Sequence, residues 1–312
     1  MSTTVRDGRQ LVESAARTLL DPQGRDLAGA VQWWELEGLP ERWPVAVIGQ
    51  GPPLLLLHGF DSSFLEFRRL APLLAPYHQL IIPDLYGFGF SPRPVDGSFS
   101  PAGVLAHLDS LLEALLHQGI DEPLGVIGAS MGGSVAVELA RRHAGRVGRL
   151  LLLSPAGLTG RPMPLPPGLD ALGVWFLARP GVRRGLCRSA FADPGSAVGP
   201  AELEIASLHL ASPGWAEALG RFARSGGFAG CGDPLPEQPL QVLWGREDRI
   251  LRPPQKRAAQ ALLGDRLREL DACGHLPHVD QPQAVAACWL RMGSAVRSDG
   301  PTPPQPMNSW HE

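Results

Sequence analysis

The chain carries a set of short runs made almost wholly of apolar residues: "PLLLLHG" ending at Gly59, "QLIIPD" ending at Asp84, "LGVIG" ending at Gly128 and "RLLLLS" ending at Ser154. A strand that is apolar at consecutive positions, rather than at alternate ones, needs cover on both faces. That requirement predicts a largely parallel sheet sandwiched between helices. Further strands are expected at "AVQWWEL" near Trp33, "WPVAVIG" ending at Gly49, "LQVLWG" ending at Gly245 and "RLREL" ending at Leu270. Helical periodicity falls between them, over residues 65–74, 102–116, 134–142, 255–263 and 283–292. The expected class is α/β, with a mostly parallel eight-stranded sheet flanked by helices.

One region breaks the alternation. Residues 157–237 show no clean strand, and proline-rich joints ("RPMPLPPG", "DPLPEQP") separate helical stretches. This predicts a helical cap inserted into a core made of residues 26–156 and 238–296. A helix is expected over 8–20, within an N-terminal extension covering 1–25. The polar, proline-rich "SDGPTPPQPMNSWHE" predicts a disordered tail over 297–312.

Composition excludes several function classes. A net charge of -3 and the lack of any lysine or arginine run give no footprint for nucleic acid. No segment approaches the roughly 18 uninterrupted apolar residues of a membrane span, and the N-terminus has no secretory h-region. A cytoplasmic location is the expectation. Cys187, Cys231, Cys273 and Cys288 form no C-x-x-C pair, so they read as buried apolar residues rather than as a metal or disulfide set.

The chemistry centres on "VIGASMGGSV". Ser130 lies in G-x-S-x-G, between an expected buried strand and an expected helix, the context in which that motif presents a nucleophile. Serine also caps helices, so the motif needs partners elsewhere. In "LLLLHGFDSS" the bend after His58 and Gly59 would set the backbone N–H of Phe60 beside that of Met131, two donors for a developing oxyanion. His58 reads as a brace for that loop rather than as a base. In "VLWGREDRIL", Asp248 follows a strand end, with Glu247 and Asp233 near it; in "LDACGHLPHVDQP", His275 sits on a loop after the last strand. His278 competes with His275, but its surroundings read as the entry to the final helix.

The order Ser130, Asp248, His275 is that of α/β-hydrolase enzymes. Together with "DLYGFGFSPRP" (Asp84 to Pro94), similar to a D-x-x-G-x-G-x-S turn, and "GHLPHVDQP", similar to the family's histidine loop, it makes the chain resemble the capped, esterase and lipase-like branch of the α/β-hydrolase fold family. The resemblance implies a Ser130–His275–Asp248 triad, an oxyanion hole at Phe60 and Met131, a structural role for Asp84, and no cofactor or metal.

The substrate it implies is a lipophilic small-molecule ester or thioester. The serine at the elbow speaks against dehalogenases and epoxide hydrolases, and the only tyrosines, Tyr77 and Tyr86, lie outside the cap. Leu276, where carbon–carbon bond hydrolases often carry tryptophan, lowers that alternative without removing it. Perhydrolase chemistry on the same triad and a slow-turnover, receptor-like binder stay open. Trp175, Phe176, Leu208, Trp215 and Leu276 are candidate pocket residues, with Leu172 and Phe222 beside them, although apolar residues at helical spacing also serve packing. Arg161, Arg179, Arg183, Arg184 and Arg188 would meet an anionic substrate or simply face solvent. Oligomeric state is not encoded in any feature of the sequence.

Overall fold

The computed structural model describes residues 7–297. All eight expected strands form: β1 (Val31–Leu36), β2 (Leu39–Ile48), β3 (Pro53–Leu57), β4 (Gln79–Pro83), β5 (Leu124–Ala129), β6 (Val147–Leu153), β7 (Leu240–Gly245) and β8 (Leu267–Leu270). They make one sheet in the order β1-β2-β4-β3-β5-β6-β7-β8. β2 runs antiparallel to β1 and to β4; every other pairing is parallel. The β1–β2 link is tight, with Gly38 at a φ of 77° that a side chain would resist.

The chain leaves β3 for β4 on one side and returns to β5 on the other. The strand order therefore reverses between β3 and β5, where an open α/β sheet holds its ligands beyond the carboxyl ends of the strands.

The all-apolar runs are covered on both faces, as their composition requires. Leu55, Leu57, Val126, Leu150 and Leu152 join one buried cluster, which includes Leu108 and Val135 of the helices Pro101–His117 and Met131–Arg142. The alternate residues Leu54, Leu56, Ile127, Leu151 and Leu153 join a second, with Leu11 of the Gly8–Thr18 helix and Trp289 of the Pro282–Arg297 helix. Each fully buried leucine contributes roughly 1.5–3 kcal/mol.

Between β6 and β7 lie the helices Leu169–Leu177, Pro180–Ala190, Pro194–Ala197, Pro200–Ile205 and Trp215–Arg224, a 3₁₀ turn at Leu208–Ala211, and no strand among the described residues. Three of these helices begin on proline, whose fixed φ suits a first turn. The buried Arg68 guanidinium ties this segment to the rest: it donates to Asp21 at 2.7 Å and to both Glu202 oxygens at 2.6 Å, while Arg69 donates to Glu202 at 2.7 Å.

Two features depart from the pattern read in the sequence. A second N-terminal helix forms over Pro22–Gly29, and residues 65–74 are split into a 3₁₀ turn (Phe64–Arg69) and a short helix (Ala71–Leu74). The tail expected over 297–312 lies, apart from Arg297, outside the described residues.

Candidate active site

Ser130 follows β5 and precedes the Met131–Arg142 helix, with φ 51° and ψ −118°. That is a strained backbone for a residue with a side chain, and it persists because its surroundings fix it. The Ser130 N–H donates to Leu153 O at 2.9 Å, and the Ser130 carbonyl accepts from Gly133 and Ala156, each at 3.0 Å. The glycines of the motif are steric necessities. A Cβ on Gly128 would stand 2.2 Å from Gly132 O, and one on Gly132 would stand 2.1 Å from Leu57 O.

His275 enters from the loop after β8, and its N–H donates to Ala190 O at 2.8 Å. Its Nε2 lies 2.9 Å from Ser130 Oγ and its Nδ1 2.9 Å from Asp248 Oδ2. Asp248, just past β7, is held at four points: Oδ1 accepts from the N–H groups of Ile250 (2.8 Å) and Leu251 (3.0 Å), and Oδ2 accepts from Trp244 Nε1 (3.0 Å) as well as from His275. Burial alone would raise its pKa. The hydrogen bond and charge of His275, with the two backbone donors, outweigh burial and hold the carboxyl below its ordinary value. Three residues far apart in the chain thus form one hydrogen-bonded relay from a carboxylate to a hydroxyl.

The loop after β3 sits against this relay. A Cβ on Gly59 would lie 3.2 Å from Ser130 Cβ, which puts the Gly59–Phe60 bend beside the hydroxyl. His58 is fully buried; its Nδ1 donates to Gly59 O at 2.8 Å and its Nε2 accepts from the Leu85 N–H at 2.9 Å. Burial depresses its pKa, so it stays neutral, as a brace should. Asp84 accepts from Phe64 and Phe90 N–H at 2.7 and 2.6 Å within its turn, and burial pushes it up to about 7.

Sequence reasoning missed two carboxylates around that loop. Glu66 Oε1 accepts the Gly59 N–H at 3.1 Å and lies 3.3 Å from His278 Nε2. Asp61, at a φ of 50°, accepts from Trp215 Nε1 at 2.8 Å, lies 3.1 Å from His209 Nε2 and pairs with Arg183. Burial would raise the Asp61 pKa, but His209, Arg183 and Trp215 together hold it low. Their side-chain partners Arg183, His209, Trp215 and His278 lie 122 to 212 residues away in the chain, so no local pattern announces them.

The pocket candidates scatter. Trp215 is buried on Asp61, Leu208 packs toward the core and Leu276 packs beside Phe191 and Val279. Trp175 and Phe176 are 55% and 52% exposed on the outer side of their helix. Trp175 and Trp215 share the wall of an open cavity of about 770 Å³, and none of Ser130, Asp248 and His275 lines it. Glu247, the neighbour of Asp248, is occupied elsewhere, accepting from Cys273 N–H at 2.9 Å. The four cysteines are buried and unpaired, and no His, Cys, Asp or Glu cluster among the described residues has metal-binding geometry.

Comparison with known proteins fits this geometry. The model of the alpha/beta hydrolase family matches residues 54–288. The chain is 30% identical over 253 residues to the 2-hydroxymuconate semialdehyde hydrolase of Pseudomonas sp. strain CF600, covering 77% of this chain and 86% of that one. Over 114 residues it is 39% identical to Lipase 1 of Psychrobacter immobilis, or 36% of this chain and 35% of that protein. The solved structure of a thermophilic esterase from Thermogutta terrifontis, with malate bound, superposes with a TM-score of 0.66 at 24% identity, over 85% of this chain and 98% of its own; identity that low speaks for the fold alone.

Proposed function

The chain belongs to the alpha/beta hydrolase family, and from that premise we propose that it is a serine hydrolase that cleaves carboxylic esters or thioesters through an acyl-enzyme. One observation carries the reading: the Ser130–His275–Asp248 relay, with both links at 2.9 Å, on a half-buried serine with a strained backbone at the switch point of the sheet.

In this mechanism Ser130 Oγ attacks the acyl carbon while His275 Nε2 takes its proton. Asp248, kept anionic, stabilises the imidazolium through Nδ1–H. The carbonyl oxygen, now negative, accepts from the Phe60 and Met131 N–H groups, each worth about 3 kcal/mol in the transition state. Collapse of the tetrahedral intermediate expels the alcohol or thiol, which takes the proton from His275. Water then attacks the acyl carbon with His275 as its base, and the acid leaves. Residues 157–237 act as a cap that covers this rim and limits the size of the acyl group.

A second reading, hydrolysis of a carbon–carbon bond, draws on the likeness to 2-hydroxymuconate semialdehyde hydrolase. A substrate with a carboxylate wants a free cation near Ser130, and Arg183, the arginine that reaches the Phe60 loop, is already paired with Asp61. That occupancy favours an uncharged acyl group.

The test is a panel of p-nitrophenyl esters of increasing chain length beside a ring-fission dienoate, with fluorophosphonate labelling. Ester turnover and labelling at Ser130 are expected, and Ser130→Ala should lower kcat by several powers of ten. Ester hydrolysis that survives in Ser130→Ala overturns the assignment.

A further inference from the structure

The helix Leu169–Leu177 turns its apolar side away from the protein. Leu169, Leu172, Trp175 and Phe176 fall within an arc of about 120°, and all four are exposed. The opposite side supplies the buried residues Asp170 and Val174 and the packed Leu177. A helix of a water-facing surface has the reverse pattern. The loop leading into it continues the patch with Met163, 80% exposed, and Leu165.

Charge around this face is segregated. Residues 161–191 hold five arginines, Arg161, Arg179, Arg183, Arg184 and Arg188, and one acid, Asp170, in a chain whose net charge is -3. Asp170 is buried and taken by Arg224 and the Gly168 N–H, and Arg183 is taken by Asp61. Arg161, Arg179, Arg184 and Arg188 are exposed and enter no ion pair among the described residues. The Arg179 guanidinium lies over the Trp175 ring at 3.6 Å, so positive charge and exposed aromatic surface occupy the same place.

We propose that this outward face, Met163 to Arg188, is a docking surface for an anionic lipid bilayer, with Trp175, Phe176 and the leucines entering the headgroup boundary and the arginines meeting lipid phosphates. A helix with apolar aromatics flanked by arginine is suited to lie in that interface. Self-association is disfavoured by the same charges: a two-fold contact brings a patch against its own copy, on each side four arginines outside any ion pair among the described residues against the two exposed acids Asp193 and Glu217. Docking holds the helical segment over Ser130 against the bilayer. That the substrate then arrives from the lipid phase rests on the serine-hydrolase reading; docking itself does not.

The test is co-sedimentation of the full chain with phosphatidylcholine vesicles, with and without phosphatidylglycerol, alongside light scattering of the chain alone. The chain should partition onto phosphatidylglycerol-containing vesicles at least about tenfold more strongly than onto phosphatidylcholine alone. Arg179→Glu with Arg184→Glu should remove that preference, and Trp175→Ser with Phe176→Ser should remove binding to both. These side chains are exposed, so unchanged circular dichroism checks that each variant folds. Ser130→Ala should bind as the parent does, which separates loss of docking from failure of the hydrolase reading. Absence of vesicle binding, or binding that both double variants retain, overturns the proposal. A doubled mass abolished by Trp175→Ser with Phe176→Ser overturns it in favour of self-association.

Discussion

His275 and His278 stand three residues apart after β8, the first on a loop and the second in a short helix, and each faces a carboxylate from a distant element, yet their surroundings make them different devices. His275 meets Asp248 at one nitrogen and Ser130 at the other, so a proton has a route through it. His278 brings Nε2 within 3.3 Å of Glu66, is wholly buried and packs tilted against Phe67 at 5.0 Å, and neither of its nitrogens makes a hydrogen bond. Glu66 in turn holds the Gly59 N–H. A histidine and a carboxylate in contact therefore do not make a catalytic pair. What separates the two is a third group at the far nitrogen that can give up a proton where a substrate can reach it.

Substituting each histidine breaks the comparison most sharply. His275→Ala should lower kcat/KM for an ester by about 10⁴-fold or more, with little change in the urea midpoint. His278→Ala should do the opposite: it removes a wholly buried ring and leaves a cavity beside Phe67 and Glu66, costing roughly 3–5 kcal/mol of stability, while fluorophosphonate still labels Ser130 in the folded fraction. Steady-state kinetics and urea unfolding on both variants decide the matter. Equal losses of activity in two equally stable variants would erase the distinction.

The sequence made one of these devices legible and not the other. Ser130 and His275 stand in motifs whose glycines and strand ends are visible in the chain, and the central strands β3, β4, β5 and β6 are visible because a strand covered on both faces must be apolar along its run. The sequence around His278 reads as the entry to the final helix, but His278 lies in a separate four-residue helix, Pro277–Asp280, that precedes the final helix Pro282–Arg297. Its partner Glu66 sits in "FLEFRR" with no local sign of burial. The same holds for Arg68 between Asp21 and Glu202, and for Asp61 among Arg183, His209 and Trp215. Such clusters are made by tertiary approach alone. The Pro22–Gly29 helix was missed for another reason: "PQGRDLAG" has two glycines and no apolar stripe, and its helicity comes from the Asp21 cap and packing rather than from propensity.

A smaller effect sharpens the role of the second device. If Glu66 acts by holding the loop that carries Phe60, Glu66→Leu should cost about 100-fold in kcat, the loss of one oxyanion donor, with KM for a p-nitrophenyl ester nearly unchanged. Glu66→Gln keeps an acceptor for the Gly59 N–H and should recover most of that loss. Burial would raise the Glu66 pKa, but His278 keeps it below the ordinary value. Its contribution is therefore present above the unfolded carboxyl pKa and fades as pH falls through the folded one. A variant pair in which Gln is no better than Leu would point to charge, not the hydrogen bond, as what the loop needs.

A third histidine extends the comparison to a ring with no carboxylate at all. His107 is buried beside the stacked pair of Trp43 (ring centroids 4.7 Å) and Tyr86 (6.2 Å), and neither of its nitrogens has a hydrogen-bond partner. Burial lowers its pKa to about 3. The folded value lies below the unfolded one, so the neutral ring's contribution is complete above the unfolded pKa of about 6.5 and is lost as pH falls from there toward about 3. Across that window one such ring tilts stability by about 1.4 kcal/mol per pH unit. His107→Phe removes the proton site and keeps an aromatic ring beside Trp43 and Tyr86, so urea midpoints measured from neutral to acid pH should fall less steeply than in the parent. His58 and His78 also have pKa values lowered by burial, so some slope remains. If the two slopes coincide, His107 takes up its proton without unfolding the chain, and burial without a partner is not what keeps a histidine neutral in this fold.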